Sequence, residues 1–207
     1  MFNTFISRVK TRLEQPLPGV EAQYRLAAAS RAKFVEVPEN ARIACVLVLF
    51  YPVDTIPHLV LIERQSSDNP NDRHAGQISF PGGKSEKSDL SLAATALREA
   101  EEEIGVTAGS VAIIGRLTEL YIPVSNFLVH PFVGYTAVPP GFVLQTEEVR
   151  SILEVPVPLL KDEAIRNVTD ISIHGGLILK EVPCLEIQDR VVWGATAMML
   201  SELLAIL

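Results

Sequence analysis

Short runs of branched and aromatic residues recur along the chain, separated by segments rich in proline, glycine and polar residues. Runs of this length and composition, bounded by turn-forming residues, are typical of β-strands. The first two runs flank the turn VDTIP and are bounded by Pro52 and Pro57. The pattern predicts strands over residues 43–50, 58–63, 111–117, 128–135, 142–144, 168–179 and 182–188.

Helical periodicity marks both ends of the chain. Apolar residues near the start share one helical face and predict a helix docked on the core. They are Phe2, Phe5, Ile6, Val9 and Leu13. A secretory signal would need a continuous apolar stretch and a small-residue cleavage site, and we expect none here. Residues 194–206 predict a C-terminal helix, and residues 156–164 predict a loop or short helix.

A further helix is predicted after the turn at residues 80–83. An apolar stripe at helical spacing indicates that one side of this helix packs while the other carries acidic residues. The stripe consists of Ala93, Leu97, Ala100 and Ile104. Ser88 or Asp89 is suited to cap the beginning, and Gly105 is suited to end the helix in the left-handed conformation.

The last turns of this helix carry an unfavourable charge pattern. Arg98 is the single cation beside Glu99, Glu101, Glu102 and Glu103. A helix C-terminus carries partial negative charge, and like charges at helical spacing repel. Glu99 and Glu103 lie one turn apart on one face of the helix, with Glu102 beside them. This row of carboxylates offers hard oxygen donors suited to Mg²⁺ or Mn²⁺. A solvated acidic face is the alternative interpretation.

The same segment resembles the signature of the Nudix hydrolases. That signature places a glycine and a glutamate ahead of Arg-Glu-hydrophobic-x-Glu-Glu-x-Gly-hydrophobic. Residues 98–106 occupy the nine final positions without a gap. The first half differs, because Asp89 stands in place of the glutamate and its spacing to Arg98 is one residue longer.

Within this family the chain is similar to the bacterial members that cleave coenzyme A and its thioesters. Those members carry His-x-Gly-Gln-hydrophobic-x-Phe-Pro-Gly-Gly ahead of the helix, and residues 74–83 here read HAGQISFPGG. They also share Thr-Ala-x-Arg-Glu-Ala, which corresponds to residues 95–100. Residues 120–135 and 191–200 look like these members too, so the resemblance covers most of the chain from Arg42 onward.

The resemblance implies metal-dependent hydrolysis of the diphosphate bond of coenzyme A or its thioesters. The products would be 3′,5′-ADP and 4′-phosphopantetheine or its acyl form. Glu99, Glu102 and Glu103 would bind Mg²⁺ or Mn²⁺. Arg98 would pair with Asp89 and hold the loop against the helix.

Two further groups of site residues follow from the resemblance. The general base is either a glutamate of the signature or one from a later loop, where Glu148 follows Glu147 in the segment QTEEV. An acidic pair at a helix N-terminus is the alternative interpretation of those two residues. The candidate substrate-binding residues are Arg64, Arg73, His74, Gly82, Gly83 and Lys84.

Two other functions stay open. The segment between Arg64 and Arg73 is longer than in the coenzyme A-cleaving members, so a Nudix pyrophosphatase for ADP-ribose, NADH or nucleotides is the first alternative. The second is a Nudix fold that senses nucleotides without turnover. Such a protein need not retain Arg98 and its neighbouring glutamates.

The alternation of strands and helices indicates a layered α/β protein. The resemblance specifies a Nudix α/β/α sandwich with a mixed β-sheet. We expect residues 1–37 to form an N-terminal helical extension and residues 38–207 to form the Nudix hydrolase domain.

Composition narrows the expected partners. The 207 residues carry a formal net charge of −7, which disfavours nucleic acid because clustered lysine and arginine bind phosphate backbones. No apolar run of eighteen residues occurs, so no membrane span is expected. Cys45 and Cys184 lie in apolar surroundings and are expected to be buried thiols, as in a cytoplasmic protein. We expect a small-molecule diphosphate as partner and, from the apolar surplus, a homodimer.

Overall fold

The computed structural model describes residues 1–31, 35–66, 76–173 and 176–207. The predictions for Arg73 and His74 lie outside the described residues. The described helices are α1 (Phe2–Leu13), α2 (Gly19–Gln23), α3 (Leu92–Ile104), α4 (Val157–Leu160) and α5 (Gly194–Ile206). None of them is long and apolar enough to cross a lipid bilayer.

The strands fall into a large sheet and a small one. The described strands are β1 (Arg42–Val53), β2 (Ile56–Arg64), β3 (Ile78–Ser79), β4 (Gly82–Lys84), β5 (Ala112–Arg116), β6 (Leu120–Ile122), β7 (Phe127–Tyr135), β8 (Val149–Pro156), β9 (Arg166–Ser172), β10 (Ile178–Ile187) and β11 (Arg190–Trp193). The large sheet has the order β3-β2-β1-β7-β5, with β4, β6 and β8 pairing with β1, β7 and β2. The small sheet has the order β11-β10-β9.

The large sheet is mixed. Its strands β1 and β7 are parallel, whereas the other pairs of described strands in that sheet are antiparallel. β1 and β2 form a hairpin whose two turn residues, Asp54 and Thr55, have φ angles of 47° and 73°. The predicted VDTIP turn is therefore confirmed.

Side chains alternate across the central strands, which gives the large sheet two apolar faces. On one face, Val60 and Ile62 of β2 share a core with Ala100 and Ile104 of α3. On the other face, a second core joins β1 and β2 to α1, α5 and the small sheet. Its members include Phe5, Val9, Leu59, Leu61, Leu185, Leu200 and Leu203. These layers confirm the expected α/β/α sandwich with a mixed sheet.

Two strand predictions are wrong, and one long strand was missed. Residues 142–144 form no strand, because Val143 donates its backbone N–H to the carbonyl of Ile104 at 3.0 Å and so satisfies the C-terminus of α3. Strand β8 was missed because its polar residues interrupt the apolar run. The predicted strand over residues 168–179 divides into β9 and the first residues of β10.

A buried carboxylate ties the two sheets together. Glu63 of β2 is 6% exposed and accepts hydrogen bonds from Ser151 at 2.8 Å, Arg190 at 3.1 Å and Arg150 at 3.2 Å. Ser151 and Arg150 belong to β8, and Arg190 belongs to β11. Burial disfavours the charged form, but these hydrogen bonds and the arginine charges outweigh it and lower the pKa of Glu63.

Replacing Glu63 with Gln should lower the free energy of unfolding by about 1–3 kcal/mol at neutral pH, because charge-assisted hydrogen bonds are lost. The pKa of Glu63 is lower in the folded protein than in the unfolded chain. Its contribution is therefore complete above the ordinary carboxyl pKa and is lost as pH falls through the folded-state pKa. Urea unfolding at several pH values measures both effects.

The exposed residue Glu39 provides the matched control, since Glu39→Gln should leave the unfolding curve unchanged. A deficit for Glu63→Gln that persists undiminished below the folded-state pKa would contradict the assigned role.

Candidate active site

Helix α3 begins later than predicted. It starts at Leu92, and the side chain of Ser91 caps it by accepting a first-turn backbone N–H at 3.1 Å. The prediction that Ser88 or Asp89 caps the helix is wrong. Gly105 ends the helix with a φ of 72°, as predicted.

Asp89 does not cap the helix because its carboxylate is already bound elsewhere. Arg98 donates to it from Nε at 2.9 Å and from Nη2 at 3.2 Å. The hydroxyl of Thr95 and the backbone N–H of Glu86 also donate to it, each at 2.8 Å. The bonds from Arg98 and Glu86 hold the pKa of Asp89 well below its usual range. The Arg98–Asp89 pair implied by the resemblance is confirmed.

Arg98 also connects the loop to the glutamates of the helix. Its Nη1 lies 2.8 Å from an oxygen of Glu102, and its Nη2 lies 3.0 Å from Glu99 Oε1. Nη2 also donates to the backbone carbonyl of Lys84 at 3.1 Å. One guanidinium therefore offsets the excess negative charge on α3 and fixes strand β4 beside it.

Glu103 lies on the packed side of α3, although its spacing suggested the exposed side. Its side chain is 2% exposed, accepts the backbone N–H of Gly82 at 2.8 Å and lies 3.5 Å from Arg64 Nη1. Burial raises the pKa of Glu103 to about 7, against the effects of Gly82 and Arg64. The charges of Glu99 and Glu148 raise it further.

Glu99 lies one turn earlier and is in close contact with Gly83. A Cβ atom on Gly83 would stand 2.4 Å from Glu99 Oε2, so only glycine leaves room for this carboxylate. Burial raises the pKa of Glu99, and the charges of Glu102 and Glu148 add to the increase. Arg98 opposes it, but the net shift is upward.

Gly82 is required for a different reason. Its φ is 149°, and a Cβ atom there would stand 2.3 Å from the carbonyl oxygen of Cys45 and 2.5 Å from the Cα of Val46. Both glycines lie in β4, which pairs with β1 at this point, so the prediction of a turn over residues 80–83 is wrong for Gly82 and Gly83. Only glycine allows the two backbones to approach this closely while presenting an N–H to Glu103.

The remaining predicted site residues within the described ranges lie around the group formed by Glu99, Glu103 and the two glycines. Glu102 is bonded to Arg98, and its side chain is 57% exposed. Glu148 is exposed in the turn before β8, and its carbonyl accepts the N–H of Gln65 at 2.7 Å. Lys84 is exposed at the end of β4. The structure therefore brings together Arg64, Gly82, Gly83, Arg98, Glu99 and Glu103, with Lys84, Glu102 and Glu148 around them.

The donor set fits a divalent cation. No three His, Cys, Asp or Glu side chains of the described ranges are gathered as a ready metal cage. Glu99 and Glu103, however, are carboxylates whose pKa values are raised by burial and by repulsion from neighbouring glutamates. A bound cation would offset that repulsion, and oxygen donors are those that Mg²⁺ and Mn²⁺ prefer.

Sequence reasoning missed the structural contribution of Thr95. Its fully buried hydroxyl donates to Asp89 and also lies 3.3 Å from the hydroxyl of Ser85. Its place in the shared Thr-Ala-x-Arg-Glu-Ala segment was a usable signal. Ser91 could likewise have been found as the serine next to the first apolar residue of the helix.

Comparisons with known proteins show the family to which this chain belongs. Residues 41–167 match the family model described as the NUDIX domain. The protein named Uncharacterized Nudix hydrolase NudL from Yersinia enterocolitica is 34% identical over 201 residues, covering 96% of this chain and 89% of that protein. The protein of the same name from Yersinia pestis is 32% identical over 199 residues, covering 96% and 91%.

A solved structure of a MutT/nudix family protein from Enterococcus faecalis matches with a TM-score of 0.52 and 12% identity. The match covers 82% of this chain and 62% of that one, and it supports the fold. The chain belongs to the Nudix family, as the resemblance indicated. It is a Nudix hydrolase, a class that acts on the diphosphate bonds of nucleoside diphosphate derivatives.

The two glycines should respond differently to replacement by alanine. Gly82→Ala should destabilise the protein by about 2 kcal/mol or more, because the new Cβ meets backbone atoms at a strained φ. Gly83→Ala should keep the fold but displace the flexible carboxylate of Glu99, so it should lose activity without losing stability. Thermal unfolding and turnover of the preferred substrate separate the two effects.

Gly109→Ala is the matched control, because nothing lies within 4 Å of a Cβ atom there. Equal stability of Gly82→Ala and Gly109→Ala, or full activity of Gly83→Ala, would contradict the roles assigned to these two glycines of β4.

Proposed function

We propose that this Nudix protein hydrolyses the diphosphate bond of coenzyme A or its thioesters, giving 3′,5′-ADP and 4′-phosphopantetheine or its acyl form. The observation that carries the proposal is the contact between the two glycines of β4 and the glutamates of α3. These glycines end the segment HAGQISFPGG, which resembles the coenzyme A-cleaving members. Gly82 donates to Glu103, and Gly83 lies against Glu99.

The metal-binding residues of this proposal are Glu99, Glu103 and the more exposed Glu102. Bound Mg²⁺ or Mn²⁺ would neutralise the diphosphate, orient its oxygens and lower the pKa of a water molecule. Arg98 acts indirectly in this scheme, since it holds Asp89 and the carbonyl of Lys84 and so positions the loop.

Other side chains would contact or activate the reactants. Arg64 lies beside Glu103 and supplies positive charge for a phosphate oxygen. Glu148 is our candidate general base, because its exposed carboxylate is close enough to raise the pKa of both Glu99 and Glu103. Arg73 and His74 remain substrate-binding candidates from the sequence.

The proposal is tested with a panel of substrates. The 207-residue protein is incubated with Mg²⁺ or Mn²⁺ and with coenzyme A, acetyl-CoA, ADP-ribose, NADH or a nucleoside triphosphate, and products are identified by mass. Release of 3′,5′-ADP from coenzyme A or acetyl-CoA, in preference to cleavage of the others, is the expected result. Preferential cleavage of ADP-ribose, NADH or a nucleotide would contradict the assignment of coenzyme A as substrate and would favour the first alternative, a pyrophosphatase for that compound. No turnover would favour a nucleotide-sensing module.

Conservative glutamate variants test the assignment of the metal ligands. Glu99→Gln and Glu103→Gln should each lower turnover by orders of magnitude, because a neutral amide binds Mg²⁺ weakly while the side-chain volume is conserved. Steady-state kinetics at saturating metal, with thermal unfolding as a check of the fold, measure the effect.

Glu101→Gln is the matched control on the same helix. Glu101 is exposed and accepts the backbone N–H of Ala108 at 3.2 Å, which an amide oxygen can also do. It should keep wild-type turnover. Near-wild-type activity of either Glu99→Gln or Glu103→Gln would remove that residue from the metal site.

A further inference from the structure

Strands β2 and β3 place two polar side chains, those of Arg64 and Ser79, on one face of the large sheet, and Arg64 is paired there with Glu103. Ile62 of β2 is the Cα partner of Ser79 of β3, and the backbone N–H of Arg64 donates to the carbonyl of Gln77 at 3.0 Å. Ser79 therefore lies across from a residue only two positions before Arg64.

Both side chains belong to the face of the sheet that meets α3. Ile78 and Phe80, the neighbours of Ser79, lie in the core on the opposite face, whereas Ile62 lies in the core shared with α3. Because side chains alternate along a strand, Ser79 faces the same side as Ile62. The ion pair with Glu103 shows that Arg64 faces this side too.

Each of these side chains holds a buried polar atom without a partner. Among the described residues, no hydrogen-bond partner contacts Ser79 Oγ or Arg64 Nε, although both atoms are buried. Leaving a buried polar group unsatisfied costs free energy, so such groups in native proteins call for an explanation. Glu103 lies by Nη1 of Arg64 and leaves Nε unused.

The chemistry of these atoms defines their ligand. The guanidinium Nε–H can only donate a hydrogen bond, and the serine hydroxyl is free to donate. Two donors on one face, one of them cationic, match a negatively charged oxygen. The glycines of β4 and the glutamates of α3 lie beside Arg64 and form the proposed diphosphate site. The anionic acceptor expected here is therefore a phosphate oxygen.

We propose that Ser79 Oγ and Arg64 Nε form an anion subsite that binds one non-bridging phosphate oxygen of the substrate. The proposal rests on the proposed function in that it takes the anion to be the diphosphate. It assigns a binding role to Ser79, which the resemblance does not. It leaves the identity of the leaving groups open, because only the diphosphate is contacted.

The experiment measures the affinity for methylenediphosphonate, a diphosphate analogue that is not hydrolysed, by calorimetry in the presence of Mg²⁺. Ser79→Ala should weaken binding roughly tenfold or more, the usual effect of losing a hydrogen bond to a charged group. Ser79→Thr retains the hydroxyl and should restore most of the affinity. Equal affinity of wild type and Ser79→Ala would overturn the proposal.

Ser125 provides a matched control, because its Oγ is also buried and unpartnered but belongs to the turn between β6 and β7. Ser125→Ala should bind the diphosphonate as wild type does. A loss of affinity equal to that of Ser79→Ala would overturn the proposal, since the effect would then not be specific to this face.

Thermal unfolding without ligand separates binding from structural support. Ser79→Ala removes an unsatisfied buried hydroxyl, so its Tm should equal or exceed that of wild type. A clearly lower Tm would show that the hydroxyl stabilises the free protein, and the subsite would be rejected.

The two proposals fail in different ways. If no compound of the substrate panel is turned over while Ser79→Ala still weakens diphosphonate binding, the enzymatic proposal fails and the subsite stands. If coenzyme A is cleaved and Ser79→Ala binds the diphosphonate like wild type, the subsite alone is rejected.

Discussion

The site depends on one guanidinium that holds several negative groups together. Arg98 reaches Asp89 in the loop, Glu99 and Glu102 on the helix and the carbonyl of Lys84 on β4. A charge that is three-quarters shielded from solvent is tolerated because its donors are satisfied by these acceptors. Without it, the acidic end of α3 would repel itself and the loop would lose its anchor.

The contacts made by the two glycines of β4 depend on this arrangement around Arg98. With β4 fixed beside α3, the backbone of Gly82 can donate to Glu103, and Gly83 can leave room for Glu99. Two carboxylates are thereby held in a partly buried position where their charged forms are disfavoured, as their raised pKa values show. Carboxylates with pKa values shifted in this way are typical of sites that bind a cation or a reactant.

Strand β2 serves both sides of the sheet through two consecutive residues. Glu63 faces the small sheet and binds Arg190, whereas Arg64 faces α3 and pairs with Glu103. Because side chains alternate along a β-strand, the ion pair of Glu63 that joins the two sheets lies on one face, and the ion pair of Arg64 at the candidate active site lies on the other. The same alternation places Ser79 on the face of the sheet that carries Arg64.

The sequence by itself determined the layered α/β fold and the helix that carries the glutamates, because these follow from local spacing and composition. The family and the pairing of Arg98 with Asp89 came from the resemblance of the sequence to a known signature. Only the tertiary structure decided that Glu103 is buried and that residues 142–144 satisfy the C-terminus of the helix. Those outcomes depend on competition among distant partners for the same polar groups, and periodicity along one chain segment carries no information about that competition.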